Sequence, residues 1–367
     1  MLRTISRRIR LELQKAARRL KPESPAPPPI APDAKVEIRT YQPGDEEAIL
    51  RLFRECFGER DLAHWKWKFQ DHPWGREKIA VALADGELIA HYGGYPARWR
   101  DCGPGETGVF RGLQVGDTMT SPRARGLGRR RTSLLHGVMQ FYFDEFCENG
   151  VDLNFGFNTG KIQRYYLRLV PNSRLVEEAP LRVLETSGAA VERLASIAAG
   201  GEAATVREVR ETSAEWDEFF ERQAPNYGFL VERSGRYVNW RYLERPDVDY
   251  SVYAARVDGT LVGWSAFRHD GERLVWVDGL FEEDRPEAFA AILSRALGKR
   301  RYRAVTTVEG WFTPRPAWWA RIAEEAGFEP RPEPNRIGMI YKPFGAEDVG
   351  PRMDGRIYYT QGDSDLF

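Results

Sequence analysis

The chain has 367 residues, 42% of them apolar, enough for two domains of ordinary size with buried cores. Basic and acidic residues balance at 54 each, so no net charge draws the protein onto nucleic acid, and no apolar run reaches the length of a membrane span. Three widely spaced cysteines (Cys56, Cys102, Cys147) exclude a disulfide framework and a cysteine zinc site and fit a reducing, cytoplasmic compartment; the five histidines lack ligand spacing, so no metal is expected.

The first segment departs from this neutrality. "MLRTISRRIRLELQKAARRLK" sets Leu2, Ile5, Ile9, Leu13, Ala16 and Leu20 at helical spacing, with arginines over the remaining surface. A basic amphipathic helix over 1–21 lies on an anionic membrane, docks a protein partner or serves as a presequence, although Glu12 counts against the last. Weak membrane or protein contact, peripheral at most, is the expectation. The proline-rich "PESPAPPPIAP" makes 22–34 a spacer that cannot be helical and holds this segment away from the body.

From Lys35 strand-like and helix-like runs alternate. "KVEIRTY" reads as a strand, "GDEEAILRLFRECFG" as an amphipathic helix, and "KIAVALADGELIAHYGGYPARW" as a hairpin turned at Asp85-Gly86. "GVFRGLQVGDTMT" reads as a strand pair, "RRRTSLLHGVMQFYFDEFCENG" as a helix and "VDLNFGF" as a buried strand. The pattern then repeats: "WKFQDHP" (67–73) returns as "WRYLERP" (240–246), and "ADGELIAH" (84–91) as "VDGTLVGW" (257–264), both displaced by 173 residues. A gapless common offset indicates two copies of one α/β module, 35–185 and 205–345, with the Ala/Gly-rich 186–204 as a linker and 346–367 as a tail. The tryptophan-rich "HWKWKF" and "GWFTPRPAWWARI" either stack on sugars or fill a core.

Between the strand and helix of the first copy lies "SPRARGLGRRR". A strand, an Arg/Gly turn and a helix present free backbone N–H groups and the positive end of a helix dipole to an anion. Gly126 and Gly128 permit close approach, and Arg125, Arg129 and Arg130 supply charge. No GxGxxG or Walker lysine is present, and aromatics for stacking on a nucleic acid are missing. The matching turn of the second copy, "FEEDRPEAFAA", is acidic and glycine-free, and would repel a pyrophosphate.

"MTSPRARGLGRR" resembles the acyl-CoA pyrophosphate loop of the GCN5-related N-acetyltransferases (GNAT), with Pro122 and Arg125 setting the register Arg125, Gly126, Leu127, Gly128, Arg129, Arg130. "LNFGFNTGKIQRYYLRL" (153–169) resembles their later strand and helix, and the second copy's "EEAGFEP" their common ending. The resemblance implies an α/β fold of two tandem GNAT-like modules, each a mixed, largely antiparallel sheet flanked by helices. It also implies transfer of an acetyl or other acyl group from acetyl-CoA to an amine by direct attack, with the second module a degenerate copy. The acceptor is a small-molecule, sugar or peptide amine, and no nucleic acid is expected. Donor contacts fall to Thr118, Met119 and Thr120 on the strand, to residues 125–130, and to Asn158; the acid protonating the leaving thiolate is Tyr166, or Tyr165 on the neighbouring face. Asp117 is a candidate base, its pKa raised by burial, or merely a partner of the strand turn. The end of the chain, "YYTQGDSDLF", is a further candidate, since some tandem members bring a terminal carboxylate to the active site. A non-catalytic acyl-CoA-binding scaffold is the alternative. A related tandem architecture, the aminoacyl-tRNA-dependent peptidoglycan transferases, needs no intact CoA cradle.

Overall fold

In the computed structural model, which describes residues 28–31, 33–103, 107–124, 127, 133–345 and 348–366, the alternation resolves into two sheets. The chain first lays down β1 (Val36–Thr40), α1 (Glu46–Cys56), α2 (Leu62–Phe69), β2 (Lys78–Ala84), β3 (Glu87–Asp101) and β4 (Gly108–Thr120). Then come α3 (Leu134–Phe146), β5 (Leu153–Asn158), α4 (Gly160–Leu169) and β6 (Arg174–Glu178). The second half runs β7 (Leu181–Glu185), α5 (Gly188–Ala199), β8 (Thr205–Val209), α6 (Ala214–Tyr227), β9 (Phe229–Val231), β10 (Tyr250–Val257), β11 (Thr260–Asp270) and β12 (Arg273–Phe281). It ends with α7 (Pro286–Leu297), β13 (Thr307–Trp311), α8 (Ala317–Glu325), β14 (Glu329–Pro330), β15 (Gly338–Pro343) and β16 (Ile357–Tyr358).

Local chemistry explains the repeated elements. Both hairpins turn on Asp-Gly with φ of 48° and 85° at Asp85-Gly86 and of 48° and 83° at Asp258-Gly259, the doubly left-handed turn whose twist suits antiparallel strands. Helix α1 opens with Glu46 and Glu47 at its positive end and buries Ile49, Leu52 and Phe53. The run expected to be a strand pair, 108–120, is one strand of 13 residues. Its central Gly112 is no turn; a Cβ there would stand 3.0 Å from the Trp99 ring, so the glycine admits a close approach across the ladder.

The two sheets have matching orders, β1-β2-β3-β4-β5-β15-β6 and β8-β10-β11-β12-β13-β7-β14. The central pairs β4–β5 and β12–β13 are parallel, while the other pairs of both orders are antiparallel. The sixth place in each sheet is filled from the other half. Strand β7, inside the stretch read as the first module, pairs with β13, and β15, inside the second, pairs with β5. The stretch 186–204 carries α5, which buries Ala190 and Leu194 in the second core. The stretch read as a tail packs inside: β16 pairs with β9, which pairs with β3, and Tyr358 to Ser364 are buried.

The halves meet about a pseudo-two-fold axis. Trp67 and Trp240, equivalent in the repeat, stack with centroids 4.8 Å apart and 12° between planes. Each indole donates to the other's backbone carbonyl, at 2.6 and 2.8 Å, the reciprocity of a symmetric dimer within one chain. The tryptophans of both tryptophan-rich segments are buried, so they fill cores.

Candidate active site

The site begins where two strands part. Strands β4 and β5 pair in parallel from Gly112–Leu153 to Gln114–Phe155 only, although β4 runs on to Thr120 and β5 to Asn158. Beyond the last pair a narrow fissure opens, lined by Val115, Gly156, Asn158 and Tyr166 and closed on its far side by Ile340 to Lys342 of the exchanged β15. Parted strands leave backbone donors and acceptors to be met by something else.

On the other edge of β4 the ladder slips. His91 faces Met119 and Gly93 faces Gly116, so Asp117 and Thr118 form a bulge opposite Tyr92, with Asp117 at φ 57°. His91 donates through Nδ1 to the Asp117 carbonyl at 2.7 Å, and burial pushes its pKa down to about 4, keeping the ring neutral. Met119 turns its side chain into the core, so only its backbone faces the bulge region; Thr120 receives the Cys56 thiol at its carbonyl, 3.5 Å away.

Past β4 the chain makes a 3-10 turn, Pro122–Ala124, and reaches α3, whose cap Ser133 accepts from His136 N–H. Arg125, Gly126, Gly128, Arg129 and Arg130 lie outside the described residues. Leu127 is described: its N–H donates to the Ala124 carbonyl and its own carbonyl accepts from Leu134, at 3.0 and 3.2 Å. The end of the proline-rich spacer lies against this turn rather than standing clear of it. Arg123 donates to the Pro28 carbonyl and accepts from Ile30 N–H, at 2.9 and 3.1 Å. The helix expected over 1–21 lies outside the described residues.

The two tyrosines diverge as adjacent helical residues must. Tyr166 is buried in the fissure with its hydroxyl hydrogen-bonded to that of Tyr92; Tyr165 is half-buried and turned towards Ser133. Burial raises the Tyr166 pKa well above the ordinary phenol value, so the group keeps its proton at neutral pH. Tyr92, on β3, is missing from the sequence reading. Its hydroxyl meets Tyr166 from 74 residues away, which leaves no local signal in the sequence.

Asp117 corrects the expectation of a raised carboxylate. Burial does oppose its charge, but Lys68 at 3.1 Å and Arg60 in direct contact outweigh that and hold its pKa well below the usual carboxylate range. A carboxylate locked between two cations does not take up a proton near neutral pH. Asp365 shares Lys68, its Oδ2 3.1 Å from Nζ. Phe367 lies outside the described residues.

Residues 37–166 match the family model described as an acetyltransferase (GNAT) domain. Over this stretch, about a third of the chain, the protein is similar to a GNAT domain. A search of the curated proteins finds no match. Among solved structures, the chain is similar to a protein of Enterococcus faecalis described as a probable N-acyltransferase, at TM-score 0.62 and 13% identity over 86% of this chain and 74% of that one. It is also similar to a GCN5-related N-acetyltransferase from Anabaena variabilis (TM-score 0.61, 12% identity, 86% and 74% covered) and to Eis1 from Mycobacterium abscessus (0.54, 14%, 86% and 75%). These likenesses span both sheets, and the architecture is the tandem GNAT-like one expected. The parted strands, the bulge and the α3 N-terminus all lie in or beside the matched GNAT segment.

Proposed function

We propose that the GNAT domain is an acyl-CoA-dependent N-acyltransferase, with acetyl-CoA as donor and a small-molecule, amino-sugar or peptide amine as acceptor. The observation that carries the reading is the parting of β4 from β5 beyond Gln114–Phe155, a fissure with the Tyr166 hydroxyl inside it. Bound acetyl-CoA supplies an activated thioester. The backbone edges of 115–120 and 156–158 offer hydrogen bonds to an extended amide-bearing arm, and residues 125–130 offer N–H groups and arginines to its phosphates. The bulge at Asp117–Thr118 turns backbone donors towards the thioester oxygen. Tyr166 gives its proton to the departing thiolate while the amine nitrogen, on forming the amide, loses one to solvent; Tyr92 hydrogen-bonds the resulting phenolate until solvent reprotonates it. With the donor on the Val115 and Tyr166 face, the amine approaches from the opposite face, where Gln114 and Phe157 point.

A second reading, a non-catalytic acyl-CoA-binding scaffold, draws on Asp117, whose ion pairs leave it unable to act as base. Thiol release separates the two. Acetyl-CoA with a panel of amines, amino sugars and lysine peptides should release thiol with at least one of them; binding of CoA without release from any member would overturn the transferase. Residues 1–21 are assigned weak contact with an anionic surface, for their basic, amphipathic sequence; no helix among the described residues is long and apolar enough to cross a membrane. Vesicles of anionic lipid at low salt should retain the full chain and not one lacking residues 1–27.

A further inference from the structure

The two halves share a buried acid–base cluster. On the register that pairs Trp67 with Trp240, Arg60 corresponds to Arg233 and Lys68 to Arg241. The ladders, in which His91 faces Met119 and Trp264 faces Leu280, make Asp278 the counterpart of Asp117. The second cluster keeps the pairing, with Arg233 Nε 3.0 Å from Asp278 Oδ1 and the Tyr242 hydroxyl donating to Oδ2 at 2.7 Å.

What differs is the covering. A buried 3-10 turn, Gln361–Asp363, is wound over the second cluster. Arg233 Nη2 donates to Asp363 at 2.6 Å, Thr360 donates to Asp278 at 2.9 Å, and Arg241 donates to the carbonyls of Gly362 and Ser364 at 3.0 and 2.9 Å. Gly362 permits the approach, since a Cβ would stand 2.0 Å from the Tyr242 hydroxyl and 2.9 Å from the Asp278 Cβ. The same segment then reaches the first half. Gln114 donates to the Asp363 carbonyl at 2.6 Å, and Asp365 meets Lys68. Gly116 leaves the room, for a Cβ there would lie 2.6 Å from Lys68 Nζ and 2.8 Å from Asp365 Oδ2.

We propose that residues 357–366 are a strap anchored in the second half's acid–base cluster, whose working end, Asp365, tunes the acceptor side of the β4 bulge for a cationic amine. Arg233, Asp278, Arg241 and Gly362 are positioning residues that act through the strap. The charge count gives the reason. With Asp365 in place, Arg60 and Lys68 are matched by two carboxylates; without it the cluster carries a net positive charge that repels an ammonium. Because the strap fills the second cluster, no acceptor site is left at that place. This inference rests on the acyl-transfer reading.

Three variants test it: Gly362→Ala to lift the strap, Gly362→Ala with Tyr242→Phe to relieve the clash with the hydroxyl, and Asp365→Asn to remove the charge alone. In the wild type, amides of 358–366 should be protected from hydrogen exchange; Gly362→Ala should expose them, and the double variant should restore part of the protection. With acetyl-CoA and the best amine of the panel, Gly362→Ala and Asp365→Asn should raise the KM of the amine about tenfold at pH 7 and low salt, with the difference shrinking at high salt. The affinity for CoA, measured by calorimetry, should not change. A strap that exchanges freely in the wild type, or an unchanged amine KM in both variants, would overturn the proposal. If no amine releases thiol, the transferase reading fails by itself. Exchange then decides the strap: Gly362→Ala must also loosen the amides of Gly116 to Thr118 across the seam, and unchanged protection there overturns it.

Discussion

Two fissures of common design have opposite contents. In both halves a parallel pair closes early, at Gln114–Phe155 and at Val275–Glu309, and the strands then diverge. On that register Val115 and Asn158 of the first half correspond to Trp276 and Phe312 of the second. The latter pair stack with centroids 4.7 Å apart and 16° between planes, and Trp319 lies 5.3 Å from Trp276. Aromatic rings take the space that a ligand arm would need. The turn that follows is changed as well: Arg285 is tied to Glu202, Glu282 and Glu287, while Asp284 pairs with Arg321. One half fills with core rings the place where the other keeps a fissure, and under the acyl-transfer reading this argues for a single donor site better than the missing glycines alone.

The comparison can be broken from either side. Trp276→Ala should be the costliest change, losing about 3–5 kcal/mol of stability in urea titrations with CoA affinity intact. If CoA affinity falls while stability holds, the second fissure is not a core. Putting the second half's residue into the first, Val115→Trp, should fill the donor fissure, and Gly128→Asp should place a charge against the phosphates. Each is expected to weaken CoA binding on the order of 10²-fold by calorimetry, since several charge-assisted hydrogen bonds are lost together. Full affinity in both variants, or two CoA molecules per chain in the wild type, would remove the distinction between the halves.

Tyr166→Phe sharpens it. Loss of one hydroxyl at nearly constant volume should lower kcat by about 10²-fold, the low end for general acids, with little effect on CoA affinity; Tyr165→Phe should be mild. Equal, small losses would leave no tyrosine acid. The smallest effect concerns Asp363. Burial and the neighbouring Asp278 push its carboxyl from an ordinary 3.8 up to about 6, against the pull of Arg233. The folded state therefore binds this proton more tightly than the unfolded chain, so its contribution to stability falls as pH rises through that window and is flat above it. Asp363→Asn should remove this slope, read as a loss of pH dependence between acid and neutral pH in urea titrations.

Much of this was legible in the residues, and the reasons differ by element. The Asp-Gly turns and the 173-residue offset are local signals, and they carried the repeat. The strand and helix on either side of the Arg/Gly turn are contiguous in sequence, as are Tyr165 and Tyr166 on one helix. The strand exchange was hidden because pairing across more than a hundred residues leaves no periodic trace. Asp117 was misread for a related reason: its burial was inferable, but Lys68 and Arg60 reach it from 49 and 57 residues away. The polar "TQGDSD" looks like a solvated tail until Arg233 and Arg241, more than a hundred residues upstream, are seen to bind it.

The exchanged strands also order events in time. As the chain leaves the ribosome, β5 waits with an unpaired edge while more than 170 further residues are made, because its partner β15 begins only at Gly338. An open apolar edge is the usual seed of misassociation between nascent chains. The first half, although it carries the proposed donor site, cannot close before the second is nearly complete, so residues 35–185 expressed alone should aggregate, and full-length refolding should be slow, governed by its non-local strand pairings.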